Sequence, residues 1–526
     1  MQTFEIILVL LFVASLAQPV ARRFDVPVAI GQVLCGLGLS AVPALRQIEI
    51  PPEFAFTIFV PPLLFWAATT GSLRDIRRYA RPILLLATGL VLFTTAVVAA
   101  VAHAVAPSLS WPAVFVLGVM VAPSDAEITV SIARRLGVPP RVVTILEGET
   151  LLNDTTAFVT YRLAIRVAVM GGLFSFPQAV LHFATLAIIG VAVGFALGWV
   201  LAITMRLHAE AITETTFSLL TPFASYLIAE RVGGSGVLAV VTSGLMLSRF
   251  APRSLSARTR VQARSTWEAV TFLIGGVIFT LLGLQLGRLA PTLLRIHDVP
   301  VFRLVAIVSV TVIAVRAIWV FLGAYIPRLN SSYRARSPIP PWQRLTITSW
   351  AGLRGGDTLI MVLAVPYTTA TGAPFPSRDA IIAVAFGVVV VTIIVQGLSL
   401  RPLIKVLALA HDDMVEDEER RARLEAERAG LAHLEVVAKR DKVPNAIVWY
   451  VQALIRRQTR LDIDAIEHGQ GHEDGTTPED LVRRLERGVL EAERAAVVRL
   501  RDDNVIGQEA MRRVLLDLDL DEVRRA

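Results

Sequence analysis

An all-α polytopic membrane protein, with about thirteen transmembrane helices and a soluble helical tail, is the fold class this sequence predicts. Three observations predict it. Apolar stretches of roughly 20 residues, the length that crosses a bilayer as a helix, recur from Met1 to about Ala410. Arginines gather in every second loop between them. After His411 the chain turns Arg/Glu-rich and holds no apolar run long enough to span.

Of the 526 residues, 54% are hydrophobic and the mean hydropathy is +0.61, too apolar for a water-soluble chain. The formal charge of +7 is unevenly divided: residues 411–526 hold 20 Lys and Arg against 27 Asp and Glu, leaving 31 against 17 in residues 1–410. The basic excess therefore belongs to loop arginines, and no patch mixes aromatic and basic residues as a nucleic-acid surface would. Two domains follow: a transmembrane domain over 1–410 and a cytoplasmic helical tail over 411–526. The single cysteine, Cys35, precludes an intrachain disulfide. Residues 1–20 lack the basic start of a cleaved signal and carry Glu5 there, so they read as a retained first helix.

The apolar windows fall near 3–20, 26–46, 52–72, 82–106, 110–134, 141–166, 176–204, 212–231, 234–250, 266–287, 301–327, 342–366 and 379–409. Loops after odd-numbered windows carry Arg22 and Arg23, Arg74, Arg77 and Arg78, Arg134, Arg135 and Arg141, Arg206, Arg249 to Arg260, and Arg328 to Arg336. Loops after even-numbered windows, such as "PSLS" and "GGLFSFP", are short and poor in charge. By the positive-inside rule the odd loops and the tail face the cytoplasm, and the N-terminus lies outside. The expected location is the plasma (inner) membrane.

Two windows are interrupted at mid-depth. "APSDA" (122–126) breaks the fifth and "GLRGG" (352–356) breaks the twelfth, seven windows apart. Broken helices at corresponding places in two halves point to an inverted-repeat transporter whose substrate site lies between the breaks.

The sixth window contains "LEGETLLNDTTAFVTYRLA" (146–164), which puts carboxylates in hydrocarbon at a cost of several kcal/mol, a cost kept for function. Residues four apart share a helix face, so Glu149 and Asn153 form one polar stripe and Thr150 and Asp154 an adjacent one. Ser124, Asp125 and Arg354 also lie near mid-depth. A buried arginine must be paired, and the candidate partners of Arg354 are the central carboxylates. Acids outnumber bases there: Asp125, Glu149 and Asp154, with Glu127 and Asp357, against Arg354. That surplus outlines a cation and proton site. Glu147, a turn nearer the cytoplasm, suits a funnel that attracts cations, and Glu127 and Asp357 read as vestibule or tuning acids. Arg316, in the eleventh window, reads as facing the interior or snorkelling, outside the site.

At these residues the chain resembles the monovalent cation:proton antiporters of the NhaP and sodium–proton exchanger type. "LEGETLLNDTTAF" is similar to their "EGESLLND" segment. The likeness continues through "PPLLF" (61–65), "APSDAEITVSIARRLGVPPRV" (122–142), "AERVGGSGVLAVVTSGL" (229–245), "FTLLGLQLG" (279–287) and "WAGLRGGDTL" (350–359). It implies a thirteen-helix fold in which a core part moves against a dimerisation part, hence a homodimer. It also implies that Asp154 and Asn153 bind the ion, with Ser124, Asp125 and the Thr150 hydroxyl beside them, and that Glu149 pairs with Arg354. The chain departs from the family pattern at Trp66, where many relatives carry an acid, at Ala126 and Glu127, at Gly275 and at Asp357.

The function these features imply is electroneutral exchange of sodium or potassium for protons, with Asp154 binding either a proton or a cation. No Walker motif suggests ATP use, and no cofactor is implied beyond the transported ions. A cation channel could use the same acidic centre, although no selectivity-filter repeat occurs. An intramembrane hydrolase has only the lone histidines His103 and His182 to draw on. In the tail, residues 416–437 and 478–503 have helical period with i,i+4 charge pairs, as a solvated helical domain does. "EHGQGHED" (467–474) is a weak metal-site candidate.

Overall fold

With no water to bond exposed amides, backbone in a bilayer must satisfy itself, and helices do so within one segment. Every regular element among the described residues is helical; the only β feature is one isolated bridge between Thr368 and Pro374. The computed structural model describes residues 11–19, 28–42, 52–71, 78–125, 129–133, 138–170, 176–207, 210–293, 299–334, 339–407, 414–455 and 478–525, apart from a few positions within them.

In chain order the helices with described bounds within residues 1–410 are α1 (Val28–Leu39), α2 (Pro52–Thr70), α3 (Ala80–Val105), α4 (Trp111–Val121), α5 (Pro140–Met170), α6 (Phe176–Leu207), α7 (Ala211–Arg231), α8 (Gly236–Ser254), α9 (Ala257–Leu293), α10 (Val301–Tyr325), α11 (Trp342–Trp350), α12 (Gly356–Leu363) and α13 (Arg378–Leu407). Five described stretches are long and apolar enough to cross a membrane: Ala80–Val105, Ala184–Met205, Ala257–Arg288, Val301–Leu329 and Arg378–Leu407. Helix α5 has the length, at 31 residues, but carries Glu147, Glu149, Asp154 and Arg162 along it. Its hydroxyls are absorbed locally: Thr155 and Thr160 donate to the carbonyls of Leu151 and Thr156, one turn back.

The chain divides into two compact units, of which the larger comprises residues 1–208, 213–251 and 265–411. Its helices sort into two bundles. In the first, α4 lies against α3, α5 and α13, and α10 against α3, α11 and α13. The second is built on glycines and small side chains, the means by which membrane helices approach closely. Gly190, Gly194 and Gly198 of α6 press on Ser235, Ala239 and Met246 at α8, and Gly36 of α1 faces Gly283 of α9. Ser225 of α7 bonds Ser243 of α8 at 3.2 Å, and Trp267 of α9 donates to Ser218 of α7 at 3.1 Å. Helix α2 touches both bundles: it packs on α12 and α5, and its Phe65 and Trp66 rings lie against Trp267 with centroids 5.4 and 5.9 Å away.

The smaller unit comprises residues 209–212, 252–264 and 412–526. Four helices build its cores: α14 (Met414–Arg440), α15 (Asn445–Ile455), α16 (Pro478–Asp502) and α17 (Gln508–Arg525). Ala422, Ala426, Val497, Ala510 and Val514 form one core, and Leu434, Val443, Val451, Leu485 and Val489 the other. Two segments that hydropathy assigns to the membrane domain, 209–212 and 252–264, belong to this unit. Arg260 reaches Asp519 with its Nε at 2.7 Å and also with Nη2, and Arg494 meets the same carboxylate at 3.1 Å.

Candidate ion-binding site

Helix α4 ends at Val121 and residues 122–125 are not helical, while residues 351–355 separate α11 from α12. The two breaks satisfy each other's backbone. The Asp125 amide donates to the Leu353 carbonyl at 2.8 Å, and the Gly356 amide donates to Asp125 Oδ2 at 3.2 Å. A Cβ on Gly355 would run into the Asp125 carboxylate, and one on Gly352 into the Arg316 side chain. Two of the three glycines of "GLRGG", Gly352 and Gly355, are thus required by close approach, whereas a Cβ on Gly356 would meet nothing within 4 Å.

Helix α5 passes beside the crossing with its polar row turned inward. Glu149 and Asn153 are 1% exposed and Asp154 is 6% exposed. Ser124 donates to Glu149 Oε1 at 2.7 Å. The Asn153 Nδ2 donates to the Ser124 carbonyl at 3.0 Å and to its hydroxyl at 3.2 Å, leaving Asn153 Oδ1 buried without a hydrogen bond. The carboxyls of Asp154 and Asp357 lie within reach of each other, and Asp125 is close enough to act on Asp357 electrostatically. The donor set at the crossing is oxygen throughout, the ligand type of hard cations.

The expected pairing of Glu149 with Arg354 is corrected by the structure. Arg316 of α10 takes both oxygens of Glu149, Nη1 on Oε1 and Nη2 on Oε2 at 2.9 Å. Its Nη1 also donates to the Ser124 hydroxyl at 3.1 Å, and its Nε to the Thr348 carbonyl at 3.1 Å. The planar fork suits this bidentate grip, and four bonds satisfy a residue only 1% exposed. Arg354, also buried, donates through Nη1 to the Gly352 carbonyl at 3.1 Å, and its Nε has no hydrogen-bond partner. The missed residue did leave a signal: Arg316 is an arginine deep inside an apolar window with no acid on its own helix.

The other expected residues are distributed as follows. The Thr150 hydroxyl bonds back to the Leu146 carbonyl at 3.1 Å. Glu147 is exposed, whereas Asp357 is half-buried at the crossing. Glu127 and residues 467–474 lie outside the described residues. The ring of His103 pairs with the Leu109 carbonyl at 2.9 Å, beside the loop that follows α3.

Residues 7–406 match the family described as sodium/hydrogen exchanger, transmembrane. This chain belongs to that family. It is a multi-pass membrane protein and a transporter, not an enzyme. It is 33% identical over 511 residues to an uncharacterised sodium/proton exchanger of Mycobacterium tuberculosis, covering 96% of this chain and 92% of that one. It is 32% identical over 415 residues to a sodium/proton antiporter of Aphanothece halophytica, covering 78% and 76%. A sodium, potassium, lithium and rubidium/proton antiporter of Bacillus pumilus is 30% identical over 411 residues, 76% of this chain and 61% of the relative. The solved sodium–proton antiporter of Methanocaldococcus jannaschii shares the fold, with TM-score 0.63 and 19% identity over 78% of this chain and all of that one.

Proposed function

We propose that this exchanger swaps sodium or potassium for protons one for one, by alternating access, with Asp154 as the shared site. Asp154 binds a proton or a cation, never both, and the bundle that carries it moves against the glycine-built one. Asp125, Asn153 and Ser124 line the cation position, with Thr150 beside it. Glu149 stays ionised against Arg316 and holds the crossing together. Thirteen helices in two inverted repeats, an outside N-terminus, a cytoplasmic tail and a homodimer joined through the glycine-built bundle complete the proposal. The observation that carries it is the buried Asp154, within reach of Asp357 beside two crossing helix breaks, in a chain of this family.

The test is purified protein in proteoliposomes under an imposed pH gradient, with sodium, potassium, lithium and rubidium added in turn. Proton movement coupled to sodium or potassium at carrier rates is expected. Uncoupled flux, or ions moving at channel rates orders of magnitude faster, overturns it.

A further inference from the structure

Eight residues beyond Asp154 on α5, about 12 Å along the helix, stands Arg162. No charge partner is in reach on its own helix; its partners come from α7 instead. Nη1 donates to Glu230 and Nη2 to the Tyr226 hydroxyl, and the guanidinium lies 5.5 Å from the Tyr226 ring centroid. Glu230 is itself fixed, accepting the Gly236 amide at 2.9 Å at the start of α8. On its other side the Arg162 guanidinium sits 5.4 Å from the Phe56 ring of α2.

Beneath this cluster lies a stack of rings. Phe158 is one turn beyond Asp154, and Phe56 packs edge-on against it at 5.3 Å and stacks on Tyr161 at 5.6 Å. Phe158 and Tyr161 are 1% and 2% exposed, so their rings fill the space beyond Asp154 on this side. On the opposite side, two turns before Asp154, Glu147 is exposed. Buried rings thus stand beyond Asp154 at one end of α5, and an exposed carboxylate stands toward the other.

The closure joins the two bundles. Phe158, Tyr161 and Arg162 ride on α5 with the carrier residue, whereas Tyr226 and Glu230 belong to the glycine-built bundle and Phe56 to α2, which lies against α5 and α12 as well as Trp267. A sliding of one bundle past the other separates them. The Tyr161 hydroxyl supports a state-dependent contact, because it is buried here without a hydrogen-bond partner. A conformation that strands a hydroxyl needs compensation, and the Arg162 cluster supplies it.

We propose that Phe56, Phe158 and Tyr161 plug one entrance to the Asp154 site, and that Arg162 with Glu230 and Tyr226 is the latch that must open once per exchange cycle. This rests on the alternating-access reading above. Arg162 is a positioning residue: it acts on the equilibrium between conformations and not on the ion.

The test uses the full chain with Cys35→Ser as background and a reporter cysteine at Ala157→Cys, one turn below Tyr161. Labelling by a membrane-impermeant maleimide added on the plugged side should be slow with the latch intact. It should quicken about three- to tenfold in Arg162→Gln and in Glu230→Gln, the loss of a partly exposed ion pair and a cation–π contact. Arg162→Lys, which keeps the charge but not the fork, should fall between. Unchanged labelling in both neutral variants overturns the latch. In a second arm, Arg162→Cys with Glu230→Cys is bridged by a bifunctional methanethiosulfonate. Exchange should stop and return on reduction, and continued exchange by fully bridged protein also overturns the latch. The labelling arm needs no transport, so a wild-type protein that exchanges no alkali cation refutes the antiport reading while labelling still decides the latch.

Discussion

Glu149 gives both carboxylate oxygens to the guanidinium of Arg316, 167 residues away in sequence. The pair is buried on both sides, at 2% and 1% side-chain exposure, so breaking it strands a charge in low dielectric. Glu149→Ala and Arg316→Ala should each destabilise the protein by about 3–5 kcal/mol. The double change should lose less than the sum by more than about 1 kcal/mol. The cycle of Glu149→Ala with Arg354→Ala should show a smaller coupling. Thermal melts in detergent measure both cycles, and equal couplings would count against Arg316 as the partner.

Asp154→Asn should abolish exchange and leave the protein folded. The change is nearly isosteric and removes a buried charge, so stability should hold or rise. Cation-driven proton movement in proteoliposomes at the wild-type rate would remove Asp154 from the carrier role.

Gly355→Ala should cut exchange at least about tenfold while sparing expression, because the new methyl group takes the space of the Asp125 carboxylate. The φ of Gly355 is negative, at −146, so the left-handed region is not at issue and the obstacle is contact. Transport close to wild type would show that the two breaks separate more easily than their 2.8 Å hydrogen bond implies.

Competition at one carboxylate predicts that the apparent cation constant rises about tenfold per pH unit below that group's pKa. Electroneutral exchange further predicts no response to an imposed membrane potential. Asn153 cannot carry a proton and Glu149 is engaged by Arg316, which leaves Asp125, Glu127 and Asp357 as second candidate carriers, with Asp357 within reach of Asp154. A voltage-dependent wild type that becomes voltage-independent in Asp357→Asn would replace the one-carboxylate cycle with a two-acid one.

Asp519→Asn should loosen the smaller unit, since it removes the one carboxylate that Arg260 and Arg494 share at low exposure. Leaving two cations without it costs about 3–5 kcal/mol at full burial, and less here in proportion to their exposure. Limited proteolysis of the full-length protein should then cut α16 or α17 sooner than in wild type, and an unchanged digestion pattern would refute the role.

The amino-acid sequence alone determined the membrane class, the change of character near His411, the two helix breaks and the polar row of α5. These are local properties. Hydropathy over 20 residues, a glycine-rich interruption and i,i+4 spacing are written in contiguous chain, and the family resemblance rests on the same segments. Only the tertiary structure decided which arginine meets Glu149, that Asp357 comes within reach of Asp154, that Arg162 crosses to α7, and that residues 252–264 belong with the tail. Each of these depends on the rotation of one helix about its axis relative to another far away in sequence. A side chain turns by about 100° per residue, so window boundaries uncertain by a few residues leave its facing undetermined. Arg316 and Arg354 were equally eligible by depth; close contact of α10 with α11, with Gly352 making room, gave Glu149 to Arg316.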